Sequence, residues 1–354
     1  MILRENTRQI KIDEQTYIGG SNDVLIQSMC NIKTSKIDEI VKQINECAKI
    51  GAKLMRVSVL DKEDALAIKD IVKQISIPLV ADIHFDYKLA ILAIENGAKK
   101  IRINPGNIGS EENVAKIIEC AKKYDVAIRI GVNSGSMDKE IYDYNSKLSA
   151  ELMVKSIEKY IKIFEKYNFY KLILSLKSSD VLETIEAYRL AANKFTYPLH
   201  IGITEAGIKE VSTIRSTAGL APLLYFGIGN TIRISITGDP RDEIIAAKAL
   251  LSEFGLVNIP KLISCPTCGR TEVNLDDLSN KVHNYLKTIN APITVAIMGC
   301  IVNGPGEAKN ADIGLAGGKN KYILFKKGQI IATIDEKDAY SKLIKEIENI
   351  LKNY

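Results

Sequence analysis

Eight apolar, β-type runs separated by stretches of helical periodicity constrain this chain more than any other feature. The runs are VLIQSM (24–29), LMRVSVL (54–60), PLVADIH (78–84), KIRINP (100–105), AIRIGV (127–132), KLILSL (171–176), LHIGIT (199–204) and TIRISIT (231–237). Between the first two, Ile37, Ile40, Val41, Ile44, Cys47 and Ala48 recur at the spacing of one helix face. Strands that alternate with helices pair in parallel, and eight such units predict a closed (β/α)8 TIM barrel with its helices outside. An open doubly wound sheet is the alternative, but no GxGxxG follows the first strand to give it a dinucleotide-binding turn. A short hairpin, RQIKID and then QTYIGG, precedes the series.

The last unit ends near Phe254, and NIPKL reads as a linker. Beyond it come CPTCGR, a helical stretch from Leu275 to Leu286, a strand ITVAIMGC, a Gly-rich loop NGPGEAKNADIG, strands YILF and QIIATI, and an amphipathic helix. The expected division is a TIM-barrel domain over 1–257 and a small α+β domain over 258–354. A chain of 354 residues exceeds what one core usually supports, which agrees with two domains.

Bulk charge removes several function classes. The 48 basic and 43 acidic residues are mixed along the chain, without the basic stripe and interleaved aromatics of a nucleic-acid binder. No apolar run is long enough to span a bilayer, and MILRENTRQIKIDE is charged too early for a secretory leader, so a cytoplasmic, membrane-free protein is expected.

Against that background, charges inside the predicted strands stand out. Arg56, Arg102, Arg129 and Arg233 lie within β-type runs, and Lys177 stands just past another. Each is followed two residues later by Ser58, Asn104, Gly131, Ser235 or Ser179, so one face of each strand end is small or polar. Asp82 and His84 share that spacing, and Asn133 continues the fifth run. Cations converging on the catalytic end of a barrel imply a polyanion, and guanidinium forks suit the oxygens of a diphosphate. The alternative is that each points outward or pairs with a structural acid.

Cysteine spacing points to a metal. Six cysteines are too few for a disulfide scaffold of this size. Cys265 and Cys268 form a CxxC, and Cys300 follows after a strand. A closed zinc site wants a fourth ligand, which only His283 offers and which its helical context disfavours. Three thiolates instead suit a [4Fe-4S] cluster with one iron left to a weaker ligand, for which Glu307 is the candidate. Cys47 and Cys120 read as small helix hydrophobes, and Cys30 as a neutral lining residue near the barrel mouth.

The ordered series VLIQSM, ADIHFDYKLA, RINPGNIGS, RIGVNSGS, PLHIGITEAG, GIGNTIRISIT, CPTCGR and GCIVNGPGEA resembles the 4-hydroxy-3-methylbut-2-enyl diphosphate synthases over nearly the whole chain. The resemblance implies a TIM barrel that binds substrate and a C-terminal iron-sulfur domain similar to half of a sulfite reductase. It implies reductive opening of 2-C-methyl-D-erythritol 2,4-cyclodiphosphate in the methylerythritol phosphate route to isoprenoids. Carried over by motif, Cys265, Cys268, Cys300 and Glu307 are the cluster ligands. Arg56, Arg102, Arg129, Lys177 and Ser235 grip the diphosphate with Asn133, Thr231 and Arg233 nearby, while Asp82, His84 and Glu205 face the reacting carbons. The resemblance also implies a head-to-tail homodimer and electrons from a flavodoxin or ferredoxin. Two residues depart from the family pattern: Cys30 stands where Thr is expected and Asn230 where Asp is usual. The extra domain of plant and apicomplexan members has no counterpart, so the short bacterial form is expected. Rival readings are a zinc-dependent barrel lyase or hydrolase, and a non-catalytic phospholigand sensor with a structural cluster.

Overall fold

The computed structural model of the chain describes every residue except 134–149, 301–305, 307 and 353–354. It forms two compact units, Met1–Leu256 and Val257–Tyr354. In the first, a hairpin of β1 (Ile10–Lys11) and β2 (Tyr17–Ile18) leads into β3 (Leu25–Met29), β4 (Leu54–Ser58), β5 (Leu79–Asp82), β6 (Lys100–Ile103), β7 (Ala127–Asn133), β8 (Leu172–Lys177), β9 (His200–Ile201) and β10 (Thr231–Ile232). Every one of the eight arises from one of the eight apolar runs. They pair in parallel in the order β8-β7-β6-β5-β4-β3-β10-β9. A bridge between Leu174 and Leu199 then brings β8 against the chain entering β9, so the sheet nearly closes into the expected TIM barrel.

Two strands, β9 and β10, keep only two residues of their runs. Past Ile232, the Ile236 N–H donates to the Glu243 carboxylate rather than to a neighbouring strand, and the ladder stops. The helices begin at the carboxyl ends of the strands, where short acids cap them. Asp61, Asp180 and Asp239 accept from the N–H of Asp64, Glu183 and Arg241, opening the helices Lys62–Ile71, Val181–Lys194 and Pro240–Glu253. Each such cap stabilises its helix by about 1 kcal/mol.

Alternation along the strands divides the barrel interior into layers. At the amino end Leu25, Leu54, Val80, Ala127 and Ile173 pack with Ile10, Ile12 and Ile18 of the hairpin, which plugs that end with apolar side chains. One step toward the carboxyl end, the same strand faces carry Gln27, Arg56, Lys100, Arg129, Ser175, His200 and Thr231, all buried. The apolar filling therefore stops after one layer.

The second unit is a mixed sheet, β11 (Lys261–Ser264), β12 (Thr294–Met298), β13 (Ile313–Gly318), β14 (Lys321–Lys326) and β15 (Gln329–Asp335), in chain order. β11, β12 and β13 are parallel, and the last three strands are antiparallel. The helices Leu275–Leu286 and Ala339–Leu351 cover one face through Leu278, Val282, Leu343 and Ile347. Two strands were not anticipated: β11 falls in the segment read as a linker, and β13 overlaps the Gly-rich segment read as a loop. Packing explains the second. A side chain at Gly314 would strike the Phe325 ring, and one at Gly317 would lie 2.5 Å from Val273 Cγ2, so this strand requires glycines that weaken its sequence signal. Among the described residues no helix is long and apolar enough to cross a membrane.

Candidate active site

The upper barrel interior collects the charges singled out in the sequence. Asp82, 3% exposed on β5, lies between two guanidinium groups: Arg102 Nη1 approaches Oδ1 at 3.3 Å and Arg56 Nε approaches Oδ2 at 3.7 Å. His84 Nε2 stands 3.6 Å from the same Oδ2. Burial would raise the Asp82 carboxyl, but Arg56, His84 and Arg102 overcome it and hold the group far below the usual carboxylate range. The rest of the Arg56 guanidinium rests on Met29 Sδ, a weak acceptor, at 2.8 and 3.2 Å.

Among the described residues, Arg129 and Lys177 form no ion pair with an acid. Arg129 is 2% exposed, and among the described residues its Nε and Nη1 make no hydrogen bond; neither does Arg102 Nε. Lys177, 8% exposed, ends β8 opposite Asn133 of β7, the pairing that brings these two predicted residues together. Burial and the repulsion of Arg129, Arg233, Arg56 and Arg102 push its amine well below the ordinary lysine range. Backbone without a side chain makes room for these heads. A Cβ at Gly202 would lie 2.5 Å from Lys177 Nζ, and one at Gly131 would lie 2.9 Å from Arg102 Nε.

Three residues that sequence reasoning passed over complete the interior. Lys100 is fully buried and donates from Nζ to Gln27 Oε1 at 2.7 Å. His200 is fully buried, with Nδ1 2.7 Å from Thr231 Oγ1 and no partner for Nε2 among the described residues. Burial and the charges of Arg129, Lys177 and Lys100 push that imidazole well below its usual value, so it is neutral. Lys100 precedes Arg102 by the same two-residue step that exposed the other cations, and that parity was a usable signal. Nothing in LHIGIT distinguished His200.

Not every predicted residue joins this group. Arg233 forks onto Glu243 of the following helix, Nε to Oε2 at 3.0 Å and Nη2 to Oε1 at 2.8 Å, and Ser28 Oγ donates to the same carboxylate at 2.6 Å. For this arginine the structural-acid alternative describes the geometry. Ser235 is half-buried beyond β10, with its carbonyl accepting from Ser212 Oγ at 2.7 Å. Glu205 is exposed in the turn after β9, in a left-handed conformation (φ 53°) that a β-carbon disfavours. Cys30 is buried with its thiol pushed up by burial, which suits a neutral lining residue. Asn230 uses its amide fully: Oδ1 accepts from Leu199 N–H, and Nδ2 donates to Arg4 O and Thr7 Oγ1. A carboxylate could not make the two donations, so the departure from Asp ties the amino-terminal segment to the barrel.

In the second unit, parallel pairing of β11 with β12 sets Ser264 opposite Ile297, which brings Cys265 and Cys300 to the same end of adjacent strands. The Gly299 N–H donates to Cys265 Sγ at 3.1 Å. A side chain at Gly299 would lie 2.8 Å from Thr271 Oγ1, so this glycine lets the CPTCGR loop pack against the end of β12. Cys268 is exposed, and its thiol is lowered by hydrogen bonds from Arg270 and Thr271, which favours the thiolate that binds metals. His283 is exposed on the helix Leu275–Leu286, one turn beyond Ser279, whose hydroxyl meets Ser264 at this strand end at 2.9 Å. Glu307 lies outside the described residues. No cluster of three or more His, Cys, Asp or Glu positioned for a metal occurs among the described residues. The thiols of Cys265, Cys268 and Cys300 are donors of the kind that hold soft metals and iron-sulfur groups.

A nearly closed parallel barrel with buried cations at its carboxyl end, joined to a small mixed-sheet unit bearing thiols, defines a two-unit α/β barrel protein. Residues 7–248 match the GcpE TIM-barrel domain and residues 261–349 the GcpE protein C-terminal domain, and the chain belongs to the GcpE family. A relative from Caldanaerobacter subterraneus subsp. tengcongensis, named 4-hydroxy-3-methylbut-2-en-1-yl diphosphate synthase (flavodoxin), is 50% identical over 351 residues, 99% of each chain. A Bacillus subtilis relative of the same name is 49% identical over 99% of this chain and 93% of its own. Among solved structures, dihydropteroate synthase from Stenotrophomonas maltophilia shares the barrel fold, with a TM-score of 0.52 at 13% identity over 70% of this chain and 98% of that one.

Proposed function

We propose that the chain catalyses the two-electron reductive opening of 2-C-methyl-D-erythritol 2,4-cyclodiphosphate to 4-hydroxy-3-methylbut-2-enyl diphosphate and water. The observation that carries this reading is the barrel interior: Arg56, Lys100, Arg102, Arg129 and Lys177 are buried in one lumen, with Asp82 the carboxylate among them in the described residues. Buried cations in such excess require anionic partners, and a diphosphate supplies two charges and acceptors suited to guanidinium forks. Full-length identity near 50% to the synthases supports the same substrate.

Opening the ring breaks a carbon–oxygen bond and leaves its oxygen on phosphate. Loss of a hydroxyl as water takes up one proton, and two electrons enter from outside the chain. In this reading Arg56, Arg102, Arg129 and Lys177 hold the phosphates, with Asn133, Thr231, Arg233 and Ser235 nearby. Asp82 fixes Arg56 and Arg102 in place and, with His84, borders the reacting carbons. Glu205 is the proton donor to the departing oxygen or reduced carbon. Its disfavoured backbone is consistent with a position kept for chemistry rather than stability.

A [4Fe-4S] cluster held by Cys265, Cys268, Cys300 and Glu307 would supply one-electron transfer and a Lewis-acidic iron. The Met1–Leu256 unit is then the substrate-binding domain and the Val257–Tyr354 unit the cluster domain. The donor is a flavodoxin, as in the names of the relatives, or a ferredoxin. Thiolate ligands favour a reducing compartment, which supports a cytoplasmic location. Leu60, Phe85, Leu182 and Ile208, at least 59% exposed, follow the carboxyl ends of β4, β5, β8 and β9. An apolar rim of this kind supports a mouth covered by a second copy, in a head-to-tail homodimer. The test is anaerobic purification followed by metal and sulfide analysis. Iron with acid-labile sulfide is expected, and Cys300→Ala should lose turnover while still binding the cyclodiphosphate; zinc without sulfide would overturn the reading.

A further inference from the structure

Among the described residues, the barrel interior holds a buried amine, Lys177, close to several arginines. The charges among these residues that act on the buried Lys177 Nζ disfavour an ammonium. Arg129 of β7, Arg56 of β4 and Arg102 of β6 repel it, and the neutral His200 of β9 adds no charge. The amine also lies close to Gly202, just past β9, where an added Cβ would be 2.5 Å from Nζ. From the loop after β10 comes Arg233, whose charge is matched by Glu243. On the helix Val181–Lys194, Tyr188 is uncharged and donates its hydroxyl to the His200 carbonyl at 2.6 Å. Asp82 on β5, the lumen carboxylate among the described residues, is already shared between Arg56 and Arg102, with His84 3.6 Å from the same carboxylate. Among the described residues Lys177 has no hydrogen-bond acceptor and no ion pair.

Guanidinium groups keep their protons at neutral pH even when burial disfavours the charge, so the amines are the groups that can yield. Lys100 lies one layer deeper and has an acceptor in Gln27. Lys177 ends its strand at the mouth, where a phosphate oxygen can reach it. We propose that Lys177 is an uncharged amine before a diphosphate binds and takes a proton from solvent as the ligand seats, so that binding is coupled to proton uptake. The inference rests on reading the barrel mouth as a diphosphate site. Two ligand charges beside Nζ replace net repulsion with attraction, and the lowering of this amine by its surroundings is reversed. Linkage gives the sign. The pKa rises on binding, so between the free and bound values one proton is taken up and affinity falls by about tenfold per pH unit as pH rises.

Isothermal titration with the cyclodiphosphate in buffers of different ionisation enthalpy measures the protons directly. Each phosphorus of this ligand carries one strongly acidic hydroxyl, so the ligand brings no titrating proton of its own near neutral pH. Uptake of about one proton per ligand is expected. Lys177→Arg, charged throughout, should bind with the uptake abolished and the pH slope flattened. No uptake by the wild-type protein overturns the proposal, and so does uptake that persists undiminished in Lys177→Arg, which would assign the proton to another group such as Lys100. If Lys177→Arg does not fold, Lys177→Gln takes its place, with loss of the pH slope as the expected result. Failure of the cyclodiphosphate to bind would sink the proposed substrate instead. The same comparison with inorganic pyrophosphate then decides the protonation claim, a difference of about one proton between wild type and variant supporting it and no difference overturning it.

Discussion

Replacing Asp82 with asparagine removes the charge that lets two buried arginines sit side by side. At the observed separations of 3.3 and 3.7 Å, and an effective dielectric of about 20, the attractions are roughly 5 and 4.5 kcal/mol. Desolvation of the carboxylate offsets much of this, while Arg56 and Arg102 remain buried and repelling in the variant. The loss expected for Asp82→Asn at neutral pH is therefore about 3 kcal/mol, at the lower end for a broken buried pair because the amide keeps one acceptor. Urea unfolding followed by far-ultraviolet circular dichroism measures it. The pH dependence carries a definite sign. Arg56, His84 and Arg102 depress the Asp82 carboxyl despite its burial, so its contribution is complete above the unfolded-state value and fades as pH falls toward the folded one. The difference between wild type and variant should hold constant near neutrality and shrink only below about pH 4. Added pyrophosphate should rescue part of the deficit by supplying the missing anion. A loss below about 1 kcal/mol, or a difference that shrinks at neutral pH, would refute the argument that Asp82 carries this ion cluster.

Glu243→Gln should destabilise by about 3 kcal/mol, because Arg233, Ser28 and the Ile236 N–H all depend on that carboxylate; calorimetric melting checks it. Gly202→Ala places a methyl 2.5 Å from Lys177 Nζ and 2.6 Å from the Arg233 carbonyl, and should cost about 1–3 kcal/mol together with weakened diphosphate binding in a titration. Glu205→Gly relieves the left-handed backbone and should raise stability by about 0.5–1 kcal/mol while turnover collapses, a pair of opposite effects readable in one melting curve and one activity assay.

Much of the fold was legible because the eight runs carry their pattern locally, apolar and β-branched with helices between. Arg56, Arg102 and Arg129 were legible for a related reason: a charge at the inward parity of a strand has no bland place to go. The rest depended on contacts distant in sequence. Arg233 looks like its neighbours until Glu243, ten residues on, claims it. His200 acquires meaning only when β10 sets Thr231 beside it. β13 was hidden because Phe325 and Val273 demand glycines where a strand usually advertises branched residues. The cysteines drew attention by their spacing alone, and the parallel β11–β12 pair explains how residues 35 apart in sequence, Cys265 and Cys300, reach one strand end.

The central claim is that the cation-lined barrel and the thiol-bearing unit together reduce a cyclic diphosphate. Anaerobic incubation of the purified protein with the cyclodiphosphate and a reduced viologen dye, followed by phosphorus NMR, tests it directly. The account predicts conversion of the cyclic diphosphate signals to those of an open-chain diphosphate, with two dye electrons consumed per molecule and no conversion by Arg129→Met. Tight binding of the cyclodiphosphate with no conversion by the iron-loaded protein would contradict it and leave the barrel as a site for binding alone.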